Sequence, residues 1–493
     1  MSADLILAID QGTTGTTCLV VDTDLHVLAK VNHEFPQHFP QPGWVEHDPD
    51  ELWGSVVQAI TDVLAASGAP AERIATIGIT NQRETSLLWD RKDGRALHRA
   101  LVWQDRRTAP SCAALKDAGH EPRVRELTGL VIDPYFSATK LRWVLDHVAG
   151  ARARAEAGAL AAGTIDTYLL WRLTGGTVHA TEPSNASRTL LWPLAGGDWN
   201  DELCALFEIP RAVLPQVLPC AGEFGRTRGV PGLPDGIPVG GIAGDQQSAL
   251  FGQACFAEGQ AKCTYGTGAF ALLNTGSRVV HSEHGLLSTV AWQLGEDTTY
   301  CLEGSSFMAG AVVQWLRDQL GIIEQAADVE ALARSVDDSG GVVLVPGHAG
   351  LGAPHWRPNA RGLIRGITRG TGRGHLARAA LEGIALQIAD LLEAMAADLG
   401  APVERLRVDG GAAANDLLMQ IQSDLLGIDL DRPTMLETTA LGAISLAGLG
   451  VGLWPDTAAL EQAWKRDRQF SPAGNPEQIA VLRQAWQAAI ACA

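Results

Sequence analysis

Leu5-Ile6-Leu7-Ala8-Ile9-Asp10-Gln11-Gly12-Thr13-Thr14-Gly15, followed by Cys18-Leu19-Val20-Val21, is the stretch on which the fold turns. Five apolar residues end on a carboxylate, a turn of small residues follows, and a second apolar run leaves it. The pattern is strand, Gly/Thr turn, strand. Far downstream, Gln260-Ala261-Lys262-Cys263 runs into Thr264-Tyr265-Gly266-Thr267-Gly268 and then Ala269-Phe270-Ala271-Leu272-Leu273 in the same order. The two turns lie about half of the 493-residue chain apart. The echo predicts a duplicated domain, although two glycine-rich hairpins also look alike for simpler reasons.

Outward from these turns, strand-like runs recur at 5–9, 74–79, 237–243, 342–345 and 406–408. Ala/Leu/Glu-rich stretches at 51–66, 138–148 and 374–399 carry helical composition between them. Alternation of this kind predicts an α/β fold. Residues 193–236 are rich in Pro and Gly without a sustained period and read as irregular loop.

Composition narrows the function. Hydrophobic residues make up 46% of the chain, which excludes a disordered protein. The 38 basic residues against 56 acidic ones give a net charge of −18, which argues against nucleic acid or anionic lipid as a partner. A small anion held by backbone N–H groups remains compatible with it. Eight scattered cysteines without a C-x-x-C pair read as reduced thiols of a cytoplasmic protein. The first ten residues lack a basic leader, and no apolar run approaches the roughly 20 residues that span a bilayer.

Four segments carry candidate chemistry. After Asp10, the turn Gly12-Thr13-Thr14-Gly15 offers backbone amides and hydroxyls to a phosphate, and Asp10 can hold a hydrated Mg²⁺. No Walker lysine is present and no helix follows directly, so neither a P-loop nor a Rossmann fingerprint fits. Gly244-Asp245-Gln246-Gln247 ends a strand and enters a helix; Asp245 suits a general base, although a helix cap is the commoner use of Asp at that place. Asp409-Gly410-Gly411 leaves room for a flat ring or a phosphate, or marks a turn with positive φ. Arg83, Glu84, Trp103 and Tyr135 follow apolar runs and could surround a small hydroxylated molecule, though such aromatics more often simply pack. His281 and His284 sit in loop-like surroundings without a third ligand and suggest no metal site.

Taken together, ten motifs in one order resemble the FGGY carbohydrate kinases: DQGTTG, ITNQRET, VWQDRRT, GLVIDPYFSATKLRW, NASRT, GIAGDQQSALFGQ, TYGTGAF, FMAGAVVQWLRD, GLGAPHWRPNARG and RVDGGAAAN. The resemblance runs from residue 5 to about 470. It implies two duplicated actin-like (ribonuclease H-like) ATPase domains, at 1–253 and 254–493, with the active site in the cleft between them. It also implies ATP-dependent phosphorylation of glycerol to sn-glycerol 3-phosphate with Mg²⁺, in a homodimer or homotetramer. Asp245 would be the base, with Asp10 positioning Mg²⁺ through water. Arg83, Glu84, Asp245 and Gln246 would meet the hydroxyls, and Trp103, Tyr135 and Phe270 the carbon chain. Thr13, Thr14 and Gly15 would contact the γ-phosphate. Thr267, Gly310, Gln314, Gly411 and Asn415 would line the nucleotide site.

Two departures matter. Many relatives carry Arg where this chain has Thr17, near the phosphates. The loop Gly229–Gly236 has no Arg of the kind through which enterobacterial members bind fructose 1,6-bisphosphate, and the phosphorylatable histidine of some Gram-positive members is absent from 224–236. Weak or absent inhibition by that effector is therefore expected.

Overall fold

The computed structural model describes residues 3–357 and 359–493. Met1 and Ser2 of the leader argument, and Pro358 of GLGAPHWRPNARG, lie outside it. Thirteen strands form one continuous sheet: β1 (Leu5–Gln11), β2 (Gly15–Asp22), β3 (Val27–Glu34), β4 (Ile74–Asn81), β5 (Ala221–Arg226), β6 (Pro238–Gly244), β7 (Gln260–Tyr265), β8 (Ala269–Gly276), β9 (Leu287–Leu294), β10 (Asp297–Ser306), β11 (Arg405–Asp409), β12 (Leu430–Pro433) and β13 (Arg466–Phe470).

The same plan occurs twice. In the N-terminal half β1 runs antiparallel to β2 and parallel to β4, which is parallel to β6, giving the order β3-β2-β1-β4-β6. In the C-terminal half β7 runs antiparallel to β8 and parallel to β11, which is parallel to β12, giving β10-β8-β7-β11-β12. The half-sheets touch through one register pair, Ala221 opposite Leu294. The echo between the two turns is thus a true repeat of topology.

Helices cover the sheet for reasons visible locally. In α1 (Pro49–Ser67) the Asp48 side chain accepts from the Asp50 N–H, Pro49 occupies the first turn, and Gly68 at φ 64° ends the helix. Its Leu52, Val56, Ala59, Ile60 and Val63 recur at helical spacing and are buried with Leu5, Leu7 and Ile9 of β1. Where two helices from different halves cross, glycine sets the distance. A Cβ on Gly442 would stand 1.8 Å from the Ser248 carbonyl oxygen, and one on Gly252 2.1 Å from that of Thr438. These residues belong to α2 (Asp245–Gly252) and α6 (Thr438–Gly450). Ile444 and Ala447 of α6 then pack with Ile6, Ala8, Leu19 and Val21 on one face of the N-terminal half-sheet.

One expectation changes. Residues 193–236 hold a short helix, Asp201–Leu206, and strand β5, which Gly222 and Gly225 disguise in the sequence. The expected strand at 342–345 forms as Val343–Val345, outside the main sheet, paired with Leu363–Arg365 as a ribbon. Among the described residues no helix is long and apolar enough to cross a membrane.

Candidate active site

The turn between β1 and β2 is held through its carbonyls. Gln11 and Gln82 both donate to the Gly12 carbonyl (2.8 and 3.1 Å), Gln37 Nε2 donates to that of Thr13 (3.0 Å), and the Phe35 N–H to that of Thr14 (3.3 Å). Buried His47 fixes Gln37 in turn: burial lowers its pKa to about 4, so it is neutral, with Nε2 donating to Gln37 Oε1 at 2.7 Å. With the acceptors consumed, the turn offers a ligand N–H and O–H donors, which is what an anion requires. Gly15 is buried, and a Cβ there would meet the His33 carbonyl oxygen at 2.9 Å, so the missing side chain serves the pairing with β3.

Asp10 and Asp245 close the space beside this turn. Burial raises Asp10 to a pKa of about 7, the charges of Asp245 and Glu437 add to the rise, and Lys30 opposes it. Three carboxylates with one ammonium make a site that welcomes a cation. Lys30 is ion-paired with Glu437. Thr17 lies directly opposite Asp10 in register and accepts from Asn32 Nδ2 at 2.9 Å, so no cation stands in that row.

Asp245 has one committed oxygen. Its Oδ1 lies 3.0 Å from Arg83 Nε and accepts the Gln246 N–H at 2.7 Å, which leaves Oδ2 for another partner. Arg83 is itself tied down, with Nη1 to Gln247 at 3.2 Å and both Nη atoms to Glu303 at 2.5 and 3.0 Å. Most of its five N–H donors are spent within the protein, and its Nε holds Asp245. Arg188 completes the cluster, donating to Glu84 Oε1 at 2.7 Å and to Glu303 Oε1 at 3.1 Å. Burial alone would raise Glu303, but Arg188 and Arg83 hold it at about 2, so it is ionised. Glu84, at φ 58°, is buried, accepts from Arg188 through Oε1, and burial raises its pKa.

The aromatic wall stands between cluster and turn. Trp103 and Tyr135 meet edge to face at 5.7 Å, and the Arg188 guanidinium lies 5.5 Å from the Tyr135 ring centre. Lys140 donates to the carbonyls of Pro134, Tyr135 and Phe136, which fixes the loop that carries Tyr135. Phe270 sits on β8 opposite Thr264 and, among the described residues, makes no ring contact with Trp103 or Tyr135. Gln246 turns toward the C-terminal half, accepting from buried Lys262 Nζ at 2.5 Å, while Gln247 meets Arg83. Glu303, Arg188 and Lys262 were not picked out by sequence pattern; Arg188 alone had a signal, inside NASRT.

The second turn repeats the electrostatics of the first. Gly310 N–H donates to the Gly266 carbonyl at 2.9 Å, and the N–H groups of Ala309 and Ala311 to that of Thr267 at 2.9 and 3.1 Å. Those donors open α3 (Gly310–Asp318), whose exposed Gln314 lies one turn further along. Across from it, Gly410 at φ 85° packs on the Tyr265 backbone, and open space surrounds the Cα of Gly411. Asn415 caps α5 (Asp416–Leu426) through Oδ1, accepting from the Leu418 N–H at 2.9 Å and keeping its amide group free.

Residues 5–252 match the FGGY family of carbohydrate kinases, N-terminal domain, and residues 261–451 the C-terminal domain of the same family. The chain belongs to the FGGY family of carbohydrate kinases. Within FGGY kinases it is similar to a glycerol kinase of Myxococcus xanthus, 58% identical over 490 residues covering 99% of each chain. A glycerol kinase of Rhodopirellula baltica is 54% identical, covering 99% of this chain and 91% of its own. Among solved structures, Plasmodium falciparum glycerol kinase with ADP superposes with a TM-score of 0.94 at 34% identity, covering 100% of this chain and 98% of its own. A xylulose kinase of Lactobacillus acidophilus shares the FGGY fold at a TM-score of 0.88 and 22% identity, covering 99% and 97%.

Proposed function

We propose that this FGGY kinase transfers the γ-phosphoryl group of ATP to a terminal hydroxyl of glycerol, giving sn-glycerol 3-phosphate and ADP. The observation that carries the reading is Asp245, with Oδ1 fixed by Arg83 and the Gln246 N–H and Oδ2 free, beside a turn that presents donors. The glycerol kinases of M. xanthus and R. baltica supply the substrate by likeness.

In the reaction, Oδ2 of Asp245 accepts the hydroxyl proton as the new O–P bond forms, the bond from phosphorus to the bridging oxygen breaks, and ADP leaves. Thr13 and Thr14 donate to the transferring group, whose charge grows on its oxygens. Asp10 fits a hydrated Mg²⁺, because its neighbours Asp245 and Glu437 leave negative charge that Lys30 alone does not offset. When bound there, Mg²⁺ supplies charge neutralisation to the phosphates. Glu84, through its free oxygen, accepts from a second hydroxyl, and Trp103 with Tyr135 shields the carbon chain from water. Thr267, Gly310, Gln314, Gly411 and Asn415 hold the nucleotide from the C-terminal half, and the boundary of the halves falls between Gln253 and Ala254. A cytoplasmic location suits the cysteines, all free, seven of them buried.

Coupled ADP release across glycerol, dihydroxyacetone, erythritol, xylulose and ribulose tests the assignment. The highest kcat/KM is expected with glycerol. A preference for a ketopentose would overturn the substrate while sparing the family.

A further inference from the structure

The indole of Trp103 does something beyond lining a pocket. Its Nε1 lies 2.9 Å from Thr13 Oγ1 and is directed at it in a hydrogen bond. An indole N–H is a donor only, so the Thr13 oxygen must be the acceptor. A threonine hydroxyl has a single proton, and with its oxygen engaged from the Trp103 side that proton is left to point elsewhere. The Thr13 carbonyl is already an acceptor for Gln37, and the neighbouring carbonyls of Gly12 and Thr14 are taken as well. The hydroxyl proton is thereby left available to a ligand of the turn.

Trp103 itself is well placed to hold this setting. Its ring meets Tyr135 at 5.7 Å, and its backbone N–H donates to the Thr85 hydroxyl at 3.2 Å. Thr85 in turn donates to Gln82, the residue that also holds Gly12. The ring that walls the polyol pocket and the turn that presents donors are therefore one hydrogen-bonded unit.

We propose that Trp103 is a positioning residue for phosphoryl transfer: its indole N–H fixes the Thr13 hydroxyl as a donor to the transferring phosphoryl group. The inference rests on the kinase reading given above. It differs from a wall role in what it costs, because a wall acts on binding of the polyol and a fixed donor acts on turnover.

A double-mutant cycle separates the two. Trp103→Phe keeps an aromatic ring and removes the donor, so kcat should fall about tenfold with the KM for glycerol within about threefold. Thr13→Val should lower kcat by a similar factor, and the double variant should be no slower than Thr13→Val alone. Thr13→Ser retains the hydroxyl and should keep most of kcat while remaining sensitive to Trp103→Phe. Losses that multiply in the double variant, or a Trp103→Phe effect confined to KM, would overturn the proposal. If Trp103→Phe does not fold, Thr13→Val decides: an unchanged kcat there removes the hydroxyl from the mechanism and the proposal with it. A wild-type enzyme inactive toward glycerol would sink the kinase assignment, an outcome distinct from an additive cycle in an active one.

Discussion

The two Gly/Thr turns of this molecule solve one problem by different means. Both have their carbonyls satisfied from outside and so face a ligand with donors. At Gly266 and Thr267 the clamp is backbone, the first N–H groups around the start of α3. At Gly12 to Thr14 the clamp is largely side chains, Gln11, Gln37 and Gln82, with Trp103 on the Thr13 hydroxyl. The strand ends differ in the same sense. Aligning Gly12 with Gly266 sets Asp10 against Thr264, so the N-terminal half carries charge where its twin carries a neutral hydroxyl. On the function proposed above, a duplicated scaffold has become a chemical half and a nucleotide half. Side-chain clamps can also couple the first turn to a substrate pocket, which a helix N-terminus cannot do.

The sharpest way to break this division is Asp245→Asn. If chemistry resides in the N-terminal half and nucleotide binding in the other, kcat falls by roughly 10²–10⁴ while ADP affinity changes by no more than about threefold. Steady-state turnover and calorimetric ADP titration read the two separately. Near-wild-type turnover would show that Asp245 is not the base.

A buried carboxylate crosses the division. Glu303 comes from the C-terminal half and neutralises Arg83 and Arg188 of the other inside the protein. Glu303→Gln leaves two buried guanidinium groups short of charge, and a loss of about 3–5 kcal/mol in urea unfolding is expected. A loss under 1 kcal/mol would mean that solvent reaches the cluster.

The difference between these two carboxylates marks what sequence can disclose. Asp10, Thr13 and Asp245 stand at strand ends beside small residues, so local pattern marks them as candidates, and the order of the ten motifs gives them roles. Both turns, the duplication and the long helix α4 (Arg373–Leu399) were legible for the same local reasons. Glu303 sits inside a strand whose alternation allows a polar residue, and its partner Arg83 is 220 positions away. Nothing local distinguishes it from a solvent-facing acid. Gln246 and Gln247 show the angular limit: adjacent helical residues point about 100° apart, so a motif cannot say which one meets Arg83.

The comparison sharpens further at the end of β6, where the N-terminal half holds Asp245 in place from behind. Ser184 Oγ accepts the Gly244 N–H at 2.9 Å and donates to Glu182 Oε1 at 2.7 Å. Glu182 is fully buried, and burial raises its pKa from 4.5 to about 7. The folded protein thus keeps this proton to about pH 7, while the unfolded chain releases it near pH 4.5. Between those values the native state binds more protons, so stability falls as pH rises. The fall from this group amounts to about 3 kcal/mol and levels off above pH 7. Glu182→Gln should remove that slope from a series of urea midpoints between pH 4.5 and 8. Parallel slopes in the two proteins would place an ionised Glu182 in the fold at every pH.

The smallest effect belongs to the nucleotide half and tests its turn without touching the fold. A Cβ on Gly411 meets no atom within 4 Å, in contrast to Gly410, where it would stand 2.6 Å from the Tyr265 carbonyl oxygen. Gly410 is therefore required by packing, and Gly411 only by whatever occupies the open space before it. Gly411→Ala should leave the unfolding midpoint unchanged and weaken ADP binding about tenfold, roughly 1.4 kcal/mol, with little change in kcat at saturating ATP. Such a change would raise the KM for ATP and spare that for glycerol, the mirror image of a lesion in the N-terminal turn. An unchanged ADP affinity would move the nucleotide away from Gly411 and the open space around it.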